Sequence, residues 1–135
     1  MKPTVLVKQT VLVVDDAAGM RQTLVDILEA AGYSVSIAVD GGAALALARG
    51  ERFDVILMDI QMPVLTGVEV LAALDHPPPQ IVLMTAYALE EQMGKARDHQ
   101  AFAILQKPFQ IARLLHVVAE AAAPCDGNGY RPGLG

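Results

Sequence analysis

Three aspartates of this 135-residue sequence stand at the ends of apolar runs that have the composition of buried strands. Asp15 and Asp16 follow residues 10–14 (TVLVV), and Asp59 follows residues 53–58 (FDVILM). Carboxylates that converge at one edge of a sheet repel one another unless a cation neutralises them. A site made of oxygen ligands suits Mg²⁺, or the similar Mn²⁺. The sequence therefore predicts a divalent metal site where these aspartates meet.

A threonine and a lysine lie just beyond two further apolar runs. Thr85 follows residues 81–84 (IVLM), and Lys107 lies two residues beyond residues 101–105 (AFAIL). A hydroxyl and an ammonium group can hold the phosphoryl oxygens that a metal leaves free. An aspartate carboxylate is itself a nucleophile toward phosphoryl groups, in a transfer that needs mainly positioning and charge neutralisation. Asp59 is the candidate nucleophile because it stands alone at the end of its strand.

The elements that must position these side chains follow from a regular alternation. Short apolar runs alternate with segments of helical period, which predicts a doubly wound α/β fold with a parallel five-stranded sheet and helices on both faces. Ligands of such sheets lie beyond the carboxyl ends of the strands. Residues 34–39 alternate apolar with small residues, which favours an edge strand. The last helix is expected to bury a stripe formed by Ile111, Leu114, Leu115 and Val118.

Composition limits the remaining possibilities. The length suits one domain, predicted over residues 8–123, with residues 124–135 (PCDGNGYRPGLG) expected to be a disordered tail or linker. Ten basic against 15 acidic residues give a net charge of −5 without a basic cluster, so direct nucleic-acid binding is not expected. No run approaches the roughly 20 apolar residues of a membrane span, and no signal-peptide pattern opens the chain, so a cytoplasmic location is expected. The single cysteine, Cys125, excludes an intrachain disulfide.

The motifs LVVDD, VILMDIQMP with Gly67 beyond it, VLMTA and LQKPF, in this order, resemble those of the response regulator receiver family of two-component signalling. They span residues 12–109, and each stands at a strand end. The resemblance implies a flavodoxin-like sheet of strand order 2-1-3-4-5 with five helices, as in the chemotaxis regulators.

The resemblance also implies roles around the metal and the phosphoryl group. Asp59 matches the phosphorylated aspartate, which also binds the metal. Asp16 matches the direct metal ligand, Asp15 its neighbour that acts through water, and Gln61 the residue whose backbone carbonyl completes the protein ligands. Thr85 matches the residue whose hydroxyl moves toward the phosphoryl group, and Lys107 matches the lysine that pairs with that group.

Other positions concern the switch and its timing. The resemblance implies a cis peptide bond between Lys107 and Pro108. Receivers usually carry an aromatic residue three positions before this lysine, but this sequence has Ile104 there, and Phe102 and Tyr87 are nearby aromatic candidates for its role. Gln61 and Tyr87 each lie two residues beyond a motif residue, Asp59 and Thr85, where side chains flank the path of an attacking water. We expect them to influence the lifetime of the phosphoryl group.

Three functions compete. The first is a phosphoacceptor switch, with a sensor histidine kinase or a histidine phosphotransfer protein as donor and a downstream protein bound at the face of helix 4, strand 5 and helix 5. The second is a metal-dependent phosphatase, which is disfavoured because Gln61 stands where such enzymes carry a second aspartate. The third is a degenerate receiver that binds partners constitutively, suggested by Ile104. We therefore expect no enzymatic turnover beyond self-catalysed transfer and autodephosphorylation.

Each motif residue also has a structural interpretation. Asp15 and Asp16 could cap the first helix, because carboxylates favour helix N-termini. Thr85 alone is typical of a structural hydroxyl at a strand end, and Lys107 alone of a solvated surface lysine. The functional interpretation rests on the whole set occurring at strand ends in one chain.

Overall fold

Strands and helices alternate along the whole described chain. The computed structural model describes residues 8–62, 65–73, 80–86, 90–98 and 101–123. In chain order the elements are β1 (Thr10–Val14), α1 (Ala18–Ala30), β2 (Ser34–Ala38), α2 (Gly41–Gly50), β3 (Val55–Asp59), α3 (Gly67–Ala73), β4 (Gln80–Thr85), α4 (Glu90–Asp98), β5 (Ala103–Gln106) and α5 (Ile111–Ala122).

The five strands form one parallel sheet in the order β2-β1-β3-β4-β5. This confirms the predicted fold class, strand order and edge position of β2. Neighbouring strands end at matching positions: Val14 pairs with Met58, and Asp59 pairs with Met84. The residues that end or follow β1, β3 and β4 therefore meet at one edge of the sheet.

Two apolar layers enclose the sheet, one on each face. Side chains alternate between them, so that Leu12 and Ile56 face one layer while Val13 and Leu57 face the other. The first layer is completed by α2, α3 and α4, and the second by α1 and α5. The central strands β1 and β3 are almost wholly buried, which explains their unbroken apolar sequences.

Local contacts set where several helices begin and end. The Asp40 carboxylate caps α2 by accepting a hydrogen bond from the Ala43 amide at 2.8 Å. Thr66 and Glu69 form a reciprocal capping box at the start of α3, with bonds of 2.9 and 3.2 Å. After α1, Gly32 takes a φ of 100°, a conformation that favours glycine.

Two strands begin two residues later than predicted. The third strand begins at Val55, not at Phe53, which is buried against the first layer from outside the ladder. The residue between them, Asp54, accepts a hydrogen bond from the Thr10 amide at 2.8 Å through its carboxylate, and its own amide donates to the Thr10 carbonyl at 2.9 Å. The fifth strand spans Ala103–Gln106, two residues later than its predicted start at Ala101.

Some predicted inward positions are exposed. Ile111 is in phase with the stripe that α5 buries, yet as the first residue of the helix it is 56% exposed. On the edge strand, Ile37 is also exposed while Ala38 is buried. Helix α1 leaves an open groove beside β2 there, so the apolar side of the strand is only partly covered.

Some predictions concern residues outside the described ranges, namely the tail at 124–135 and the position of Tyr87. Within the described residues, no helix combines the length and the apolar composition needed to cross a bilayer.

Candidate functional site

A lysine–aspartate cluster lies at the carboxyl edge of the sheet. The Lys107 ammonium contacts the Asp59 carboxylate at 2.9 Å and the Asp15 carboxylate at 3.3 Å. The side chains of Asp15 and Asp59 are 0% and 10% exposed, and that of Lys107 is 16% exposed. These residues come from the ends of three different strands, so the fold brings together groups that are 92 and 48 residues apart in sequence.

The main chain holds Lys107 in this position from the neighbouring strand. Thr85 pairs with Gln106 at the ends of β4 and β5, and the amide of the next residue, Lys107, donates to the Thr85 carbonyl at 2.7 Å. The Lys107–Pro108 peptide bond is cis. The lysine that pairs with the aspartates is thereby tied to the threonine at the same edge.

Asp15 is fixed at the end of β1 by contacts on both sides. One carboxylate oxygen accepts a hydrogen bond from the Ala17 amide at 2.9 Å, while the other faces Lys107. Its main-chain carbonyl accepts a hydrogen bond from the Arg21 guanidinium at 2.8 Å. Asp15 is wholly buried, so these contacts satisfy polar groups that water does not reach.

The turn after β3 places Asp59. The Asp59 carboxylate oxygen that does not contact Lys107 accepts a hydrogen bond from the main-chain amide of Gln61 at 2.8 Å. The amide of Gly67, at the start of α3, donates to the Ile60 carbonyl at 3.1 Å. A Cβ atom at Gly67 would lie 2.6 Å from the Asp59 carbonyl oxygen, so only glycine permits this close approach.

The charges of the cluster govern the protonation of Lys107. Burial alone lowers the pKa of the ammonium, because it removes water from the charged form. The hydrogen bond and charge of Asp59, followed by those of Asp15, outweigh that effect and raise the pKa above its ordinary value of 10.5. Lys107 is therefore a stable cation at neutral pH, able to offset negative charge at the site.

Asp16 joins this cluster from the solvent side. One carboxylate oxygen from each of Asp15, Asp16 and Asp59 lies within 4.8 Å of the others, and Asp16 is exposed while the other two are buried. Three hard oxygen donors of this kind suit Mg²⁺ or Mn²⁺, and the single lysine does not balance their charge. The acidic group is consistent with binding of a divalent cation.

The structure places the remaining predicted residues in different surroundings. Thr85 is fully buried at the end of β4, and the Gln61 side chain is exposed. Ile104 is half-buried and packs on the layer completed by α2, α3 and α4, whereas Phe102 packs on the opposite layer. Ile104 and Phe102 thus pack on opposite faces of the sheet. Tyr87 lies outside the described residues.

Arg21 is the site contact that the sequence interpretation missed. It lies on α1 and reaches back to a main-chain atom, so neither a carboxylate pair nor a strand-end position pointed to it. A basic residue one turn inside the helix that follows two aspartates was the available sequence signal.

Comparisons with known proteins agree with this geometry. Residues 11–119 match the family model for the response regulator receiver domain. Among curated proteins, a response regulator receiver protein of Anaeromyxobacter is 37% identical over 77% of this chain and 44% of its own length. The polar-differentiation response regulator DivK of Brucella anthropi is 32% identical over 82% of this chain and 93% of its own length. In contrast, the chain spans about half the length of other curated relatives that it matches, such as 44% of the Anaeromyxobacter protein and 58% of the transcriptional regulatory protein PdtaR of Mycobacterium tuberculosis.

Solved structures give the same result. Chemotaxis protein CheY4 of Vibrio cholerae superposes with a TM-score of 0.79 at 35% identity, over 85% of this chain and 99% of that chain. A CheY-like receiver domain protein of Methanospirillum hungatei superposes with a TM-score of 0.82 at 31% identity, over 86% and 94%.

Proposed function

Because this chain belongs to the response regulator receiver domain family of two-component signalling, we propose that it is a switch which accepts a phosphoryl group on Asp59. The supporting observation is the contact of Asp59 with Lys107 at 2.9 Å, inside a group of three carboxylates. In the transfer, the phosphorus–nitrogen bond of a phosphohistidine donor breaks as a phosphorus–oxygen bond to Asp59 forms. The departing imidazole takes up a proton.

The residues of the site have complementary tasks in this proposal. Asp16 and Asp59 would hold Mg²⁺ or Mn²⁺ directly, with the Gln61 backbone carbonyl as a further ligand and Asp15 acting through water. The cation would neutralise carboxylate and phosphoryl oxygens so that anionic groups can approach one another. Lys107, already a cation beside Asp59, would pair with a phosphoryl oxygen, and the Thr85 hydroxyl would hold another.

The same residues argue against efficient turnover as a phosphatase. Gln61 stands two residues after Asp59, where a phosphatase of this type would have an acid/base aspartate. An amide side chain cannot exchange a proton with water in that role. We therefore propose self-catalysed transfer and slow autodephosphorylation rather than enzymatic turnover.

The proposed partners are proteins at two steps. The phosphoryl donor is a sensor histidine kinase or a histidine phosphotransfer protein, and the output is a downstream protein bound at the face formed by α4, β5 and α5. On that face Ile111 is 56% exposed and Gln106 is exposed, which supplies apolar and polar contact surface. Phosphorylation replaces the single negative charge of the Asp59 carboxylate with a phosphoryl group that carries about two, and it would shift the equilibrium between arrangements of this face.

The test is to incubate the chain with Mg²⁺ and acetyl phosphate and to follow its intact mass. We expect a stable gain of one phosphoryl group that is lost in Asp59→Ala and in metal chelator. Asp26→Asn, which removes an exposed carboxylate of α1, is the matched control and should label normally. Continuous phosphate release without a labelled chain would favour a phosphatase. Absence of label in the folded chain would favour a constitutive binding module, and either result would contradict the proposal.

A further inference from the structure

Arg21 of α1 contacts the main chain of the aspartate cluster, which indicates a role beyond packing of the helix. Its guanidinium donates to the Asp15 carbonyl at 2.8 Å. That carbonyl belongs to the peptide bond between Asp15 and Asp16. The hydrogen bond therefore restrains the orientation of this peptide plane and of the Asp16 backbone that follows it. On the other side, the Ala17 amide is bound to the Asp15 carboxylate at 2.9 Å. The exposed Asp16 is thus held between two restrained neighbours.

The arginine side chain is well placed to hold this peptide. Arg21 lies in the first turns of α1, and its own amide donates to the Ala17 carbonyl at 2.9 Å, so its backbone is part of the rigid helix. Its side chain is half-buried along the groove between α1 and β2. Among the described residues it forms no ion pair with a carboxylate. The guanidinium is therefore directed to the main chain of the metal-binding loop.

We propose that Arg21 is a positioning residue that holds the Asp15–Asp16 peptide in the orientation needed for Asp16 to reach a divalent cation. This inference rests on the metal site in the proposed function. Arg21 could act in two ways, and the two predict opposite results. As a positive charge near the site it would oppose cation binding, so its removal would tighten binding. As a positioning group it keeps the Asp15–Asp16 segment ordered before the cation binds, so less conformational entropy is lost on binding. Its removal would then weaken cation binding.

Positioning should dominate. A half-exposed charge is screened by water and salt, whereas loss of outer partners of metal ligands typically weakens affinity by about 10- to 100-fold. We expect Arg21→Met, which keeps most of the aliphatic stem but removes the donors and the charge, to weaken Mg²⁺ binding by about tenfold, the lower end of that range.

The test is calorimetric titration of the full chain with MgCl₂, without a phosphoryl donor. Arg21→Lys keeps the charge and one flexible donor, and it should bind Mg²⁺ with an affinity between those of the wild type and Arg21→Met. Arg49→Met, at an exposed arginine in the last turn of α2, is the control and should bind as the wild type does. Circular dichroism would establish that each variant is folded. If Arg21→Met is not folded, Arg21→Lys decides the matter, since positioning requires it to bind more weakly than the wild type.

The outcomes separate this inference from the function on which it rests. Unchanged or tighter binding in Arg21→Met, or wild-type binding in Arg21→Lys, would overturn the positioning role while leaving the metal site intact. If the wild type does not bind Mg²⁺ at all, the proposed metal site itself fails. Asp16→Asn should weaken binding more than Arg21→Met does, because it removes a ligand and not a support.

Discussion

Neutralising Lys107 and neutralising Asp59 should have very different effects on the stability of the metal-free protein. Both residues take part in the same 2.9 Å ion pair, so a description based on that pair alone would expect similar losses. The cluster, however, contains three carboxylates and one contacting lysine. Removing the lysine leaves the carboxylates unopposed, whereas removing Asp59 also removes two repulsions.

Coulomb's law gives the size of the contrast. With an effective dielectric constant of about 20, carboxylate oxygens no more than 4.8 Å apart repel by at least about 3.5 kcal/mol per pair. On the same scale Lys107 is attracted to Asp59 at 2.9 Å by about 6 kcal/mol and to Asp15 at 3.3 Å by about 5 kcal/mol. Asp59→Asn thus exchanges at least about 7 kcal/mol of repulsion for about 6 kcal/mol of attraction, so it should not destabilise the protein. Lys107→Met should lose about 3–5 kcal/mol after the saved desolvation of the ammonium is counted.

Urea unfolding in the presence of a metal chelator, followed by circular dichroism, measures these differences. We expect the double variant Lys107→Met with Asp59→Asn to recover part of the loss seen in Lys107→Met alone. Lys8→Met, at an exposed lysine, is the control and should leave the free energy of unfolding unchanged. If Asp59→Asn destabilises the protein as much as Lys107→Met does, repulsion among the carboxylates is not significant and the electrostatic reasoning is refuted.

Three further outcomes follow from single contacts. The pKa of Lys107 is raised in the folded protein. The stability that its charge contributes is therefore fully present below pH 10.5 and is lost as the pH rises through the folded-state pKa. In urea unfolding, the difference in stability between the wild type and Lys107→Met should shrink over that pH range. Burial raises the pKa of Tyr33 above 10.0, so Tyr33→Phe should remove a late step from the ultraviolet absorbance titration of the folded chain. Gly67→Ala should cost about 1–3 kcal/mol and slow phosphorylation of Asp59, because its Cβ would collide with the Asp59 carbonyl. Gly94→Ala, where a Cβ meets nothing within 4 Å, should be neutral or stabilising.

The fold could be predicted because its determinants are local and repetitive. Short β-branched apolar runs such as residues 10–14 indicate strands covered on both faces, and the alternation in β2 indicates an edge. Parallel pairing then requires strand ends to meet at one edge. That rule was sufficient to predict that Asp15, Asp59 and Lys107 lie close together.

The remaining details depend on contacts that periodicity does not describe. Phe53 is as apolar as a strand residue, but the carboxylate of Asp54 bonds to Thr10 and the strand starts after it. The apolar character of Ile111 does not indicate its exposure at the start of α5. The capping box of Thr66 and Glu69 was visible as a T-x-x-E pattern and would have located the start of α3.

The position of Ile104 limits how a change at Thr85 can reach the output face. Ile104 pairs with Leu83 on β4 and packs on the same layer as Ala96 of α4, whereas Phe102 lies across the sheet. Phe102 is thus not a ring beside Ile104 that could rotate when Thr85 moves. The direct connection is the hydrogen bond from the Lys107 amide to the Thr85 carbonyl, which joins the ends of β4 and β5. A displacement of the Thr85 main chain would therefore move the segment that carries Lys107, so the proposed partner of the phosphoryl group and strand β5 would move together.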